Sequence, residues 1–119
     1  MPARLRLLLV LVVAVVAGVL TGCSDEPVTV GEGELPGSVP DDFPIPGGAV
    51  VGATLVDRTS HRTEFRLSVP DDPTRVVRFF TVGLVESGYV VDDSGGDATR
   101  WTIEFSRGIL RGRVVVEQA

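Results

Sequence analysis

Lysine and asparagine are absent from this chain of 119 residues, and cysteine, histidine and tryptophan occur once each. A chain without lysine has neither a Schiff-base lysine nor the lysine of a phosphate-binding loop. One cysteine, Cys23, cannot form an intramolecular disulfide. One histidine cannot supply a pair of histidine metal ligands, and no Gly-x-Ser-x-Gly motif is present. We therefore expect no catalytic residues, no metal site and no cofactor, and the protein is not expected to be an enzyme.

The charges also narrow the choice of partners. Sixteen acidic residues outnumber eleven basic ones, all arginine, and the net charge is −5. An acidic protein of this kind is not expected to bind nucleic acid.

His61, the single histidine, is better explained as a residue at the end of a hairpin than as a general base.

The first 22 residues have the organisation of a secretory signal peptide. Arg4 and Arg6 precede an uncharged apolar run over residues 7–20. A transmembrane helix needs about 20 such residues, so this run is too short to be one. The arginines are not adjacent, which favours the general secretory (Sec) route over the twin-arginine route.

Leu20, Thr21, Gly22 and Cys23 follow the apolar run and resemble the lipobox of bacterial lipoproteins. The resemblance implies a diacylglyceryl group on the Cys23 sulfur, cleavage between Gly22 and Cys23, and often acylation, as with palmitate, of the new amino group. Two or three acyl chains hold a protein firmly on a bilayer, whereas one alone is marginal. We therefore expect a lipid anchor at the extracytoplasmic face of the cell membrane.

The remaining chain divides into two parts. Residues 23–42 comprise the lipidated cysteine and a stretch with six acidic residues, no arginine and no apolar periodicity, which predicts an acidic disordered tether. Residues 43–119 form one small domain. At its start, Phe43 and Ile45 are expected to cover the edge of the core.

The periodicity of residues 43–119 predicts an α+β domain with the order ββαβββ. Strands are predicted over residues 49–56, 61–69, 89–92, 100–106 and 110–117 from β-rich or alternating patterns. Asp72 and Pro73 predict the start of a helix that ends near Gly88. We expect one five-stranded antiparallel sheet with the helix on one face and, counting predicted strands only, the order 2-1-3-4-5.

The motif Phe43-Pro44-Ile45-Pro46 and this layout are similar to those of small actinobacterial-type lipoproteins without assigned function. The resemblance covers most of the mature chain, and it implies no site residues.

Five arginines are predicted on the outer face of the sheet, together with Glu64, Glu104 and Glu117. They form a candidate anion-binding face and are Arg62, Arg66, Arg100, Arg111 and Arg113. Guanidinium groups donate paired hydrogen bonds to phosphate or carboxylate. The simpler alternative is a solvated face whose charges form weak cross-strand ion pairs.

A second candidate surface is the apolar stripe of Phe79, Val82 and Val85, which points away from the packed side of the predicted helix. Isolated exposed apolar residues are ordinary in proteins, so this stripe can either bind a partner or simply face solvent.

The sequence as a whole favours a membrane-tethered binding or accessory domain, whose partner is an envelope protein or an anionic wall or lipid component. The alternative is a structural or assembly subunit of a cell-envelope complex.

Overall fold

The structure, a computed structural model, describes residues 7–15 and 27–118. The strands are β1 (Leu7–Val15), β2 (Val28–Glu32), β3 (Val50–Asp57), β4 (Arg62–Pro70), β5 (Val90–Gly96), β6 (Arg100–Arg107) and β7 (Leu110–Gln118). The single helix in this part of the chain, α1 (Pro73–Glu86), lies between β4 and β5. Residues 20–23, which resemble a lipobox, lie outside the described residues.

The strands form two three-stranded antiparallel sheets, β2-β3-β4 and β7-β6-β5. β1 lies between β4 and β7 and pairs antiparallel with both, which gives the overall order β2-β3-β4-β1-β7-β6-β5. Within residues 27–118 the two sheets are not paired with each other.

The prediction of one five-stranded sheet with the order 2-1-3-4-5 is therefore wrong, although the α+β class agrees with the structure. That order placed β3 between β4 and β5, but the second edge of β3 is occupied by β2. It also made β5 an interior strand. β5 carries Asp92, Asp93 and two glycines and is almost entirely exposed, which suits an edge strand. The apolar Val114 and Val116 instead place β7 towards the interior.

The predicted helix is confirmed. An Asp72 carboxylate oxygen accepts a hydrogen bond from the backbone N–H of Thr74 at 2.9 Å, and Pro73 occupies the first helical turn. Gly88, with a φ of +87°, follows the last turn in the left-handed conformation that favours glycine. Val76, Phe80 and Leu84 are buried, as expected for a helix with one apolar side.

The hairpin predicted for residues 49–69 is also confirmed. β3 and β4 pair antiparallel, with an irregularity between Val51 and Thr54. Along β4, buried Phe65, Leu67 and Val69 alternate with more exposed residues. One face of this sheet therefore packs on the core.

Phe43 lies at the centre of an aromatic cluster that joins the helix to both sheets. Its ring centre is 6.0 Å from that of Phe65 on β4 and 5.6 Å from that of Phe105 on β6. Phe80 of α1 and Tyr89 lie 6.4 and 6.0 Å away. Phe43 and Ile45 were expected to cover the edge of the core. The Phe43 ring instead lies inside the core cluster and bridges the two sheets, while Ile45 is partly buried against that cluster.

The structure differs from the expected tether in residues 28–42. β2 pairs with β3, and the hydroxyl groups of Ser38 and Thr63 are hydrogen-bonded at 2.6 Å. Val39 is buried in the core cluster. Tertiary contacts therefore order a segment whose local composition is typical of disorder. Among the described residues, no helix is long and apolar enough to span a bilayer.

Candidate functional site

The outward-facing residues of β4 and β7 carry most of the predicted arginine face. On β4, Arg62 and Arg66 are exposed, while the intervening Thr63 and Phe65 are buried. On β7, Arg111 and Arg113 are exposed before the buried Val114. The alternation of a strand therefore directs these arginines away from the core.

Three of the five arginines line one groove. Arg62 stands near the start of β4, and Arg111 and Arg113 stand near the start of β7. The groove has a volume of about 630 Å³, and the polar residues that line it are Ser60, Arg62, Asp92, Glu104, Arg111 and Arg113. The structure brings these three arginines together although they come from different sheets.

In the chain that retains β1, register explains why Arg62 and Arg111 reach the same groove. Both stand opposite Val15, the last residue of β1. Adjacent strands lie about 4.8 Å apart, so the two backbones are separated by roughly 10 Å. Extended arginine side chains can span that separation and contact one small anion together.

Two of the groove arginines already have carboxylate partners. Arg62 lies 2.6 Å from Glu64, and Arg113 lies 3.3 Å from Glu104. The four side chains keep between 28% and 55% of their surface exposed, and ion pairs this exposed contribute only about 0–1 kcal/mol. An anion that binds in the groove can therefore hydrogen-bond to Arg62 and Arg113 with little loss of free energy from their ion pairs.

Arg111 differs from its two neighbours. It is exposed and makes no ion pair within residues 27–118. Glu64 and Glu104 pair with Arg62 and Arg113, and Asp92 also lines the groove, so the three guanidinium groups are balanced by three carboxylates. The electrostatic reason for an anion to bind there is therefore local: Arg111 is the groove guanidinium that no carboxylate contacts within residues 27–118.

The other two predicted arginines do not line the groove. Arg66 lies further along β4, opposite Leu11 of β1. Arg100 is at the far end of the β6–β7 pair and forms an ion pair of 3.3 Å with Glu117. The predicted arginine face therefore divides into two parts. Three arginines line the groove, and Arg66 and Arg100 lie apart from it.

The predicted apolar stripe of α1 is exposed. Phe79, Val82 and Val85 keep 36%, 49% and 59% of their surface accessible. The Phe79 ring packs edge-on against Phe80, with ring centres 5.3 Å apart. The stripe is thus a modest apolar surface on the outer side of the helix.

A second cavity, of about 430 Å³, lies where the start of α1 meets Trp101 and Asp97. Both carboxylates in its lining already accept local hydrogen bonds. Asp72 caps the helix. Asp97 accepts hydrogen bonds from the Thr99 hydroxyl and from the backbone N–H groups of Thr99 and Arg100, which lower the pKa of Asp97. Their role is therefore to fix the helix start and the β5–β6 turn.

Arg107, the last residue of β6, is the centre of another polar cluster. It binds Asp42, donates to the Ser87 carbonyl oxygen at 3.0 Å and lies 4.1 Å above the Tyr89 ring centre. Burial raises the pKa of Tyr89, whose hydroxyl is the one buried side-chain oxygen without a hydrogen-bond partner within residues 27–118. No local pattern could reveal this cluster, because its members are far apart in sequence.

His61 lies in the turn between β3 and β4, with a φ of +55°. Within the described residues, no three His, Cys, Asp or Glu side chains gather as a metal site would require. The position of His61 is that of a hairpin-end residue.

The chain was also compared with known proteins. No protein-family model matches it, and neither a curated protein nor a solved structure shows significant similarity to it.

Proposed function

We propose that the protein is a lipid-anchored extracytoplasmic domain that binds a phosphate-bearing component of the cell envelope in the groove of Arg62, Arg111 and Arg113. The anchor is supported by the signal-like residues 1–22 and by the lipobox that ends at Cys23. The binding role is supported above all by Arg111, an exposed guanidinium group without an ion-pair partner within residues 27–118.

Phosphate suits this groove because of its shape and charge. Its several oxygens can accept hydrogen bonds from more than one guanidinium group, and each guanidinium can donate two parallel bonds. A hydrogen bond to a charged group contributes about 1.5–3 kcal/mol, which exceeds the value of the exposed ion pairs that must be shared. The same chemistry occurs in a phospholipid headgroup and in a phosphodiester polymer of the cell wall.

The binding proposal is tested with protein purified from membranes and with glycerol 3-phosphate as the probe. We expect Arg111→Gln to weaken binding by about tenfold or more, since it removes charged hydrogen bonds. Arg100→Gln is the matched control, because Arg100 lies on the same sheet outside the groove. Binding should also weaken as salt rises, since exposed charges are screened over about 8 Å at physiological ionic strength.

Two further binding measurements identify the source of the phosphate. Phosphatidylglycerol vesicles test a headgroup, and a soluble glycerol phosphate polymer tests the wall. Equal affinities for the wild type and for Arg111→Gln in every arm would overturn the binding proposal.

A second candidate function is that of an assembly subunit in an envelope complex, favoured by the exposed Phe79, Val82 and Val85. This function predicts that a complex seen by native mass spectrometry is lost in Val82→Glu and kept in Ile109→Glu. Ile109 is the control because it is equally apolar and 70% exposed but lies in the turn between β6 and β7. A complex unaffected by Val82→Glu would argue against this surface.

A further inference from the structure

β4 and β7 present facing edges that the rest of residues 27–118 leaves unpaired. β4 pairs with β3 on one side, and β7 pairs with β6 on one side. Their other edges both pair with β1, in a register that extends from Arg62 to Pro70 on β4 and from Arg111 to Gln118 on β7. The two sheets are thus separated by a slot one strand wide.

The slot is suited to an extended apolar segment. Its edges offer backbone N–H and C=O groups on both sides. The flanking core residues are apolar, since Phe65 and Leu67 on β4 and Val114 and Val116 on β7 are at most 2% exposed. Val10 stands opposite Leu67 and Val116, so the segment in the slot lies in register with both strands.

The sequence of β1 shows what the slot accepts. Residues 7–15 read LLLVLVVAV and contain no charge, proline or glycine. Such a segment combines high β-propensity with the ability to donate every backbone N–H.

Removal of residues 1–22 would take β1 away and open both edges at once. This step rests on the processing contained in the proposed function. Open edges of this kind add strands from other chains. We propose that the mature protein uses the β4–β7 slot to bind an extended apolar segment of a partner protein by strand addition.

A peptide segment fits this slot better than a lipid chain does. A lipid chain covers apolar surface but leaves the backbone groups of both edges unpaired, and each unpaired buried polar group costs about 1–3 kcal/mol. Phe43 packs against Phe65 on one sheet and Phe105 on the other, and so links the core faces on the two sides of the slot.

The test uses the lipidated protein purified from membranes and a fluorescent peptide with the sequence of residues 4–15. The control peptide carries Val10→Pro and Val12→Pro, which remove two N–H donors from an otherwise identical segment. We expect the first peptide to bind at least tenfold more tightly than the control. It should also slow hydrogen exchange at alternate amides of both β4 and β7.

Two results would overturn the proposal that the slot binds a partner segment. One is equal binding of the two peptides, and the other is full amide protection of β4 and β7 before any peptide is added, which would mean that the sheets close directly. The intact mass of the same sample separates this proposal from the proposed function. A chain that retains residues 1–22 contradicts the processing and with it the open slot, whereas a processed chain that fails to bind contradicts the slot alone.

Discussion

Arg107 and Asp42, which lie 65 residues apart in the chain, form a two-pronged ion pair. Nη1 of Arg107 is 2.6 Å from Oδ2 of Asp42, and Nη2 is 3.1 Å from Oδ1. Arg107 ends β6, and Asp42 immediately precedes Phe43, which fills the centre of the core. The pair therefore fastens the segment that carries Phe43 to the sheet β7-β6-β5.

This pair should make stability depend on acidity. The hydrogen bond from Arg107 holds the pKa of Asp42 below its ordinary value. A carboxyl with a lowered pKa in the folded state stabilises the fold above its unfolded pKa of about 3.9, and this contribution is lost as the pH falls through the folded-state value. We expect Asp42→Asn to lower the melting temperature at pH 7, with a difference from wild type that shrinks below about pH 4.

Glu117→Gln is the control for this acid dependence. Its carboxylate makes one contact of 3.3 Å with Arg100 at the exposed end of the sheet. Thermal unfolding followed by circular dichroism across pH 3–7 should show a smaller change for this variant. An Asp42→Asn protein whose melting curve matches wild type at every pH would refute a stabilising role for the Asp42–Arg107 pair.

The central position of Phe43 predicts a large effect of its truncation. Phe43→Ala should lower the free energy of unfolding by about 3–5 kcal/mol, since it leaves a cavity between both sheets and the helix. Phe79→Ala removes the same atoms from a side chain that is 36% exposed, against 7% for Phe43. Urea unfolding of both variants should show a loss of about 1 kcal/mol or less for Phe79→Ala, and comparable losses would contradict this description of the core.

Gly112 lies where there is no room even for the methyl side chain of alanine. A Cβ atom at this position would collide with Cζ of Phe105, whose ring is fully buried. Gly112→Ala should therefore destabilise the fold by about 1–3 kcal/mol, despite the conformational advantage of alanine over glycine in a strand.

Gly95→Ala is the matched substitution for Gly112→Ala, because Gly95 also lies in a strand and has nothing within 4 Å of the added atom. We expect its urea midpoint to equal or slightly exceed that of wild type. If Gly112→Ala were equally harmless, the Phe105 ring would have to lie elsewhere.

Local patterns were sufficient for the helix and for single strands. Asp72 and Pro73 mark the helix start because capping depends on neighbouring residues alone. The alternation of Phe65, Leu67 and Val69 likewise shows which face of β4 is buried. The helix pattern does not show what packs on Gly83. A Cβ there would meet Pro44 at 2.9 Å, so the close neighbour is the segment before β3.

Long-range arrangement was not accessible in the same way. β2 pairs with the outer edge of β3, and its residues Val28 and Val30 are exposed, so no buried face marks them in the sequence. The sheet order depends on which edges remain free. The arginine groove depends in turn on that order, because Arg62 and Arg111 come from different sheets. The sequence could therefore predict that the five arginines share an outer face. It could not predict which three of them line the groove.

The attachment of the protein to the membrane is tested most directly by the intact mass of the wild-type chain isolated from membranes. We predict a chain that begins at Cys23 and is heavier than residues 23–119 by a diacylglyceryl group, with or without a further acyl chain. Cys23→Ala should remain at the mass of the full-length precursor. A wild-type chain of full length with a free Cys23 thiol would contradict the proposed lipid anchor.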